Sequence, residues 1–352
     1  MLDQRYCRTR KRACRWSTHV IRSSDAWEFV RAVTAPALAL ASSDFLDEVA
    51  DRLRDAGIQY AVANHDTAPI VDWLLSILGL QGISDRAAFA YDEKHGGLGA
   101  ADLCRAFATA PSCPKLRSFW HFDRCGYRKG RQICVEPGHL ERCPVPTFPL
   151  RKGALSVGAV GLHLFIRDIC GGDLVGWIDA RLAAADTGIG RPGRVTAMRA
   201  AVIEPLSAIP SSGPKIWSMI LSEMLLAGDP ARERWVTTGA GMIAIDTLLH
   251  NYLRRTGILR RLGCEHLYGP ACYATDGCAD IVAELARRVD ARAFNPAYPR
   301  TFARFVQHAL WQFCSTGERN ICNGVQIDDR AECQQTTCPA YSSCDRLPLE
   351  PA

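Results

Sequence analysis

Apolar residues recur every three or four positions through much of this chain, the spacing that gives a helix one buried face. In residues 42–56, SSDFLDEVADRLRDA, the stripe is Phe45, Val49 and Leu53; Ser43 or Asp44 can cap the helix and Gly57 ends it. Residues 73–88, WLLSILGLQGISDRAA, read as a core helix broken at Gly79 and Gly82, with Ser84-Asp85 heading the next one. Leu162, Phe165, Ile166 and Ile169 form another apolar face, and residues 174–185 continue after Gly171-Gly172. RPGR at 191–194 is a turn, and residues 195–206 lead onward from it. Residues 279–289 and 300–313 are two more helices; in the second, Phe302, Phe305, Val306, Ala309, Leu310 and Phe313 belong to a core. The pattern predicts an all-α protein with two helical domains.

The chain is organised around residues 206–257. Pro210-Ser211-Ser212-Gly213-Pro214 combines fixed φ with a residue that accepts positive φ, which is strong turn chemistry. The following segment is apolar on nearly every side, with Glu223 as its only charge after Lys215, so it reads as a buried helix. A helix that starts at such a turn offers free backbone N–H groups to an anion such as phosphate. Further on, Asp246 is a good N-cap, Arg254 and Arg255 suit a last turn, and Gly257 suits a stop.

These two segments resemble the helix-hairpin-helix DNA glycosylase superfamily, which includes endonuclease III and the 8-oxoguanine glycosylases. The family hairpin reads roughly LPGVGxKTA, where this chain has IPSSGPKIW at 209–217. The family's VDTHV, followed by an Arg-rich helix end, is matched by IDTLLHNYLRRTG at 245–257. The resemblance implies that Lys215 is the nucleophile of a bifunctional enzyme and that Asp246 stabilises the developing sugar cation. It also implies DNA contacts from Ser211, Ser212 and Gly213 of the hairpin, from Arg254 and Arg255, and from Gln81, which matches a glutamine that reaches into the duplex. Ser211 stands where the family has its first hairpin Gly, Trp217 replaces a small residue, and Leu248 replaces the His after Asp-Thr. The chemistry needs these residue types. A lysine attacks C1′ only as the free amine, so burial or nearby cations must lower its pKa. The aspartate must stay ionised beside an oxocarbenium-like centre.

Sixteen cysteines change the picture further. Residues near the start contain no secretory apolar region, so metal or cluster binding is expected over disulfides. Five cysteines lie in the tail: Cys314, Cys322, Cys333, Cys338 and Cys344. Endonuclease III relatives carry C-x6-C-x2-C-x5-C after their last long helix, often with Pro after the third Cys. CPAYSSC at 338–344 has that spacing and that proline, and Cys314 follows the helix HALWQF. The resemblance implies a [4Fe–4S] cluster on Cys314, Cys333, Cys338 and Cys344, with Cys322 as the alternative to Cys333. Zinc on the same thiolates and a disulfide-stapled tail are the rivals. Residues 96–151 form a Cys-rich insertion that the family does not explain. Cys113, Cys125, Cys134 and Cys143 offer a second metal site there, against scattered reduced thiols. Cys264, Cys272 and Cys278 fall in a loop with no obvious fourth partner and are unassigned.

With 352 residues the chain is long enough for two domains and a sizeable core. Its net charge of +5 permits DNA binding without arguing for it, because whole-chain charge ignores clustering. The basic residues between 5 and 22 read as a solvated tail, with a DNA-contacting arm as the alternative. No apolar run reaches the length of a membrane span. After a tail at 1–22, the resemblance implies a domain from 23–67 plus 240–346 ending in the cluster loop, and a six-helix domain at 68–239 that carries the hairpin. The expected function is a monomeric, cytoplasmic, nucleoid-associated DNA glycosylase with AP lyase activity that excises a damaged base from double-stranded DNA. The alternatives are a non-catalytic metal- or Fe–S-containing DNA-binding protein, and an Fe–S redox or regulatory protein.

Overall fold

The computed structural model describes residues 24–350 apart from 81–82, 84, 110, 123–124, 126–144, 147 and 152. Among the described residues there are sixteen α-helices and no strand. In chain order they are α1 (Ser24–Ala39), α2 (Phe45–Asp55), α3 (Ile58–Ala63), α4 (Thr67–Gly79), α5 (Asp85–His95), α6 (Ala100–Ala106), α7 (Phe119–Phe122), α8 (Gly153–Asp168), α9 (Leu174–Ala185), α10 (Arg194–Leu206), α11 (Pro214–Ala227), α12 (Glu233–Ala240), α13 (Thr247–Arg255), α14 (Ile258–Arg261), α15 (Cys278–Arg288) and α16 (Ala303–Cys314). None is long and apolar enough to cross a membrane. The chain clusters into two compact units: one joins the chain up to Phe45 with the chain from Ile243 onward, and the other runs from Leu46 to Met242.

The Leu46–Met242 unit is built around α11. Trp217, Ile220, Leu221, Met224 and Leu225 of that helix are buried almost completely, each contributing roughly 1.5–3 kcal/mol of burial. Gly239 of α12 lets that helix approach closely, since a Cβ there would lie 3.0 Å from Leu226. Arg194 at the start of α10 braces the unit. It donates to Asp186 just beyond α9 (2.6 and 2.9 Å) and to Glu233 of α12 (2.7 Å twice). The first part of the Cys-rich insertion belongs to this core. Leu103, Leu116, Phe119 and Phe122 are buried, and Phe119 meets the Phe165 ring of α8 edge-on at 5.2 Å. Its apolar residues are few, and short helices turn these four inward while leaving Trp120 exposed.

The other unit is held by aromatic rings around α16. Phe45 and Phe302 lie 5.8 Å apart, and the Tyr298 hydroxyl accepts from Phe45 N (2.9 Å) while donating to Ser43 O (2.7 Å). Tyr252 of α13 donates its hydroxyl to Val33 O of α1 at 3.0 Å, joining the two ends of the chain. After α16 the described residues of the tail contain one 3₁₀ turn, Tyr341–Ser343. It is tied to the end of α13 by backbone bonds from Asp345 N to Thr256 O (3.1 Å) and from Leu347 N to Arg255 O (2.8 Å). Those carbonyls would otherwise lack partners at the helix terminus.

Candidate functional site

The turn between α10 and α11 sits on two glycines of α8. A Cβ at Gly161 would lie 3.0 Å from Ile209 Cγ2 and 3.0 Å from Pro210 Cδ, and one at Gly158 would lie 3.3 Å from Pro210 O. Ser211 is exposed and takes φ 67°, a left-handed conformation that disfavours side chains. Ser212 is buried; its hydroxyl donates to Ile209 O (3.0 Å) and accepts from Trp217 Nε1 (3.0 Å). Trp217 is thereby a floor for the turn, which explains a bulky residue where the family hairpin has a small one. The Ser212 hydroxyl is consumed inside the turn and is not presented to a ligand.

Gly213 caps α11 without a side-chain bond, and Pro214 opens the helix with no N–H of its own. Lys215 follows in the first turn and is half-buried. Among the described residues no hydrogen bond or ion pair engages its ammonium. Gln81, the expected duplex-reading residue, lies outside the described residues.

In the other unit, Asp246 caps α13 by accepting from Leu249 N at 2.8 Å and is half-buried. The Tyr273 hydroxyl accepts from Ile245 N at 2.7 Å, fixing the residue before it. Arg254 is half-buried at the far end of α13. Arg255, expected to contact DNA, is instead buried and ion-paired with Asp329. Its guanidinium holds the tail to the helix, because a buried cation needs a fixed counter-charge.

One turn beyond Asp246 lies a group that sequence reading missed. His250, His266, Cys272 and Cys278 bring one ligand atom each within 4.8 Å of one another and could hold a metal ion. His250 Nδ1 is 3.4 Å from Cys278 Sγ and 3.5 Å from Cys272 Sγ, and His266 Nε2 is 3.2 Å from Cys278 Sγ. Burial, joined by His266 and Arg254, lowers the His250 pKa to about 4, so its ring is neutral near pH 7. Three closely spaced cysteines were the visible signal. Two of them, Cys272 and Cys278, belong to the group, and its other two members are histidines, one of them on a helix that Asp246 and the arginines already accounted for.

The five tail cysteines surround the end of the same helix. Cys322, Cys333, Cys338 and Cys344 line one internal cavity of about 20 Å³, with Tyr252, Arg255 and Phe313 among its other walls. Cys314, expected as the first ligand, is not on that wall; it is buried and hydrogen-bonded to Cys322. That bond and the Arg255 charge favour the Cys322 thiolate, while Cys314 is pushed up as its donor. Burial pushes Cys344 up to about 12 and Cys338 in the same direction, so both stay protonated unless a cation is present. Backbone N–H groups point at two of the sulfurs: Arg346 N at Cys344 (3.3 Å) and Gln335 N at Cys333 (3.5 Å). Of the possible site in the insertion, Cys113 is buried and Cys125 half-buried, whereas Cys134 and Cys143 lie outside the described residues.

No protein-family model, no curated protein and no solved structure matches this chain.

Proposed function

We propose that this protein is a DNA glycosylase with AP lyase activity. The observation that carries the reading is the turn ahead of α11. Its chain takes a left-handed residue at Ser211, the position of the first glycine in the hairpin it resembles, and places Lys215 in the first turn of a buried helix. In this reading the turn binds a phosphate through backbone N–H groups, and a damaged nucleotide is extruded from the duplex. The Lys215 amine attacks C1′; the C1′–N bond to the base breaks and the base leaves with a proton. The sugar ring then opens at C1′–O4′, O4′ taking up the proton the amine gives, and a Schiff base results. Loss of a C2′ proton to water and breakage of C3′–O3′ complete a β-elimination that releases the 3′ phosphate and nicks the strand. Asp246 stabilises positive charge as it develops on the sugar.

The tail would hold a [4Fe–4S] cluster through Cys322, Cys333, Cys338 and Cys344. Support comes from four thiols lining one cavity, N–H donors directed at two of them, and an adjacent Arg255 to balance charge; at about 20 Å³ the cavity has the room of one water, so the four sulfurs must move apart to admit the cluster. Among the described residues these thiols form no group as close as the His250 one. A single zinc ion would need sulfurs roughly 3.8 Å apart. The cluster would fix the tail against the end of α13 and take no part in the reaction.

The test is borohydride trapping on a duplex with one abasic site. Wild type should give a covalent adduct and Lys215→Ala none. No adduct from wild-type protein that retains iron and binds the duplex removes the Schiff-base step. A base-release assay on damaged duplexes then separates a glycosylase driven by Asp246 from a DNA-binding protein without catalysis.

A further inference from the structure

We infer that His250, His266, Cys272 and Cys278 form a closed, structural zinc site, separate from the tail cysteines and independent of the glycosylase reading. The donor set is two thiols and two imidazoles, the composition that suits tetrahedral zinc. With Zn–S near 2.3 Å and Zn–N near 2.05 Å, a tetrahedral site has S···N edges of roughly 3.6 Å. The observed edges are 3.2, 3.4 and 3.5 Å, so the four atoms already outline a polyhedron of that size.

The surroundings prepare these atoms as ligands. The His266 Nδ1–H donates to Cys264 O at 2.7 Å, which leaves the lone pair on Nε2, the atom facing Cys278. Metal-bound histidines are characteristically oriented by such a bond on the other ring nitrogen. Cys278 opens α15 directly after Gly277, and that glycine is required by crowding: a Cβ there would run into Ala271 O and lie 2.8 Å from Cys272 O. The loop is therefore folded tightly enough to bring Cys272 and Cys278 to the same point. His250, Cys272 and Cys278 are all buried and His266 half-buried, leaving no open coordination position for substrate.

The site clamps the segment between α14 and α15 onto α13. Cys272 is followed by Tyr273, whose hydroxyl holds Ile245, and His250 lies one helical turn beyond Asp246. Zinc thus braces the head of α13 from both sides.

The test uses the full chain as purified. Elemental analysis should find one zinc per chain in wild type. Cys278→Ser should lose it and keep whatever iron the wild type carries; Cys338→Ser should keep the zinc. Cobalt substitution should give the intense visible bands of a tetrahedral ion. Should Cys278→Ser fail to fold, His266→Cys keeps the question answerable: it should bind the metal and show a stronger thiolate-to-cobalt charge-transfer band. Zinc unchanged in Cys278→Ser, loss of iron in its place, an octahedral cobalt spectrum, or a His266→Cys spectrum identical to wild type would each overturn the assignment. Absence of iron from wild type would count against the tail cluster alone.

Discussion

Gly257 lies directly against Asp345: a Cβ on the glycine would be 2.6 Å from the Asp345 Cβ. The same glycine ends α13 at φ 87°, so it meets two demands at once. Gly257→Ala combines left-handed strain with displacement of the tail. It should cost about 3 kcal/mol in denaturant unfolding. A cost under about 1 kcal/mol would mean that the tail does not pack there.

Asp345 is the electrostatic latch of that contact. It accepts from Arg260 (2.8 Å) and Arg261 (2.8 and 3.1 Å). Hydrogen bonding from Arg261 is the largest influence on its carboxyl and, with Arg260, outweighs partial burial to lower the pKa. A lowered carboxyl pKa stabilises the fold above the ordinary carboxylate range near 3.9, and that stability is lost as pH falls through the folded value. Asp345→Asn should therefore cost about 1–2 kcal/mol at pH 7, discounted because both arginines are half exposed. The gap between wild type and variant should close below about pH 4. A gap that persists unchanged at low pH would show that charge is not what the contact uses.

Ser211 is the opposite case, a left-handed position occupied by a residue with a side chain. It is exposed, so little else constrains it. Ser211→Gly should remove strain of about 1–2 kcal/mol and lose part of that to unfolded-chain entropy. The net gain should be about 0.5–1 kcal/mol, read as a rise in melting temperature. A fall would mean that the serine hydroxyl has a structural role.

Within the tail, the cavity separates the cysteines into two kinds. On the proposed cluster, Cys338→Ser, at the cavity wall, should lose iron from the tail, whereas Cys314→Ser, off that wall, should retain it. Iron and sulfide content with the visible spectrum reads both. Equal loss in the two variants would return Cys314 to the ligand set.

Much of the helical frame was legible from short-range chemistry. Gly171-Gly172, Gly193 and Gly257 all take the positive φ expected of helix punctuation, and Asp246 caps the helix it was expected to cap. What could not be read depends on contacts far apart in sequence. Arg255 looked like one of two exposed basic residues at a helix end, and only Asp329, far along the chain, makes it a buried anchor. His250 looked like part of an amphipathic face until the loop carrying Cys272 and Cys278 was laid beside it. Cys314 matched the first ligand of the resemblance by spacing, and spacing alone does not tell that the other four tail thiols line a common cavity.

The unit that contains Asp246 is assembled from both ends of the chain, with Tyr252 bonded to Val33 across more than two hundred positions. On the ribosome, the segment from Leu46 to Met242 emerges whole and can collapse first, while α1 waits without its partners. A nascent chain halted before Ile243 would carry the Leu46–Met242 unit whole, with α1 still lacking its contacts to α14 and α16.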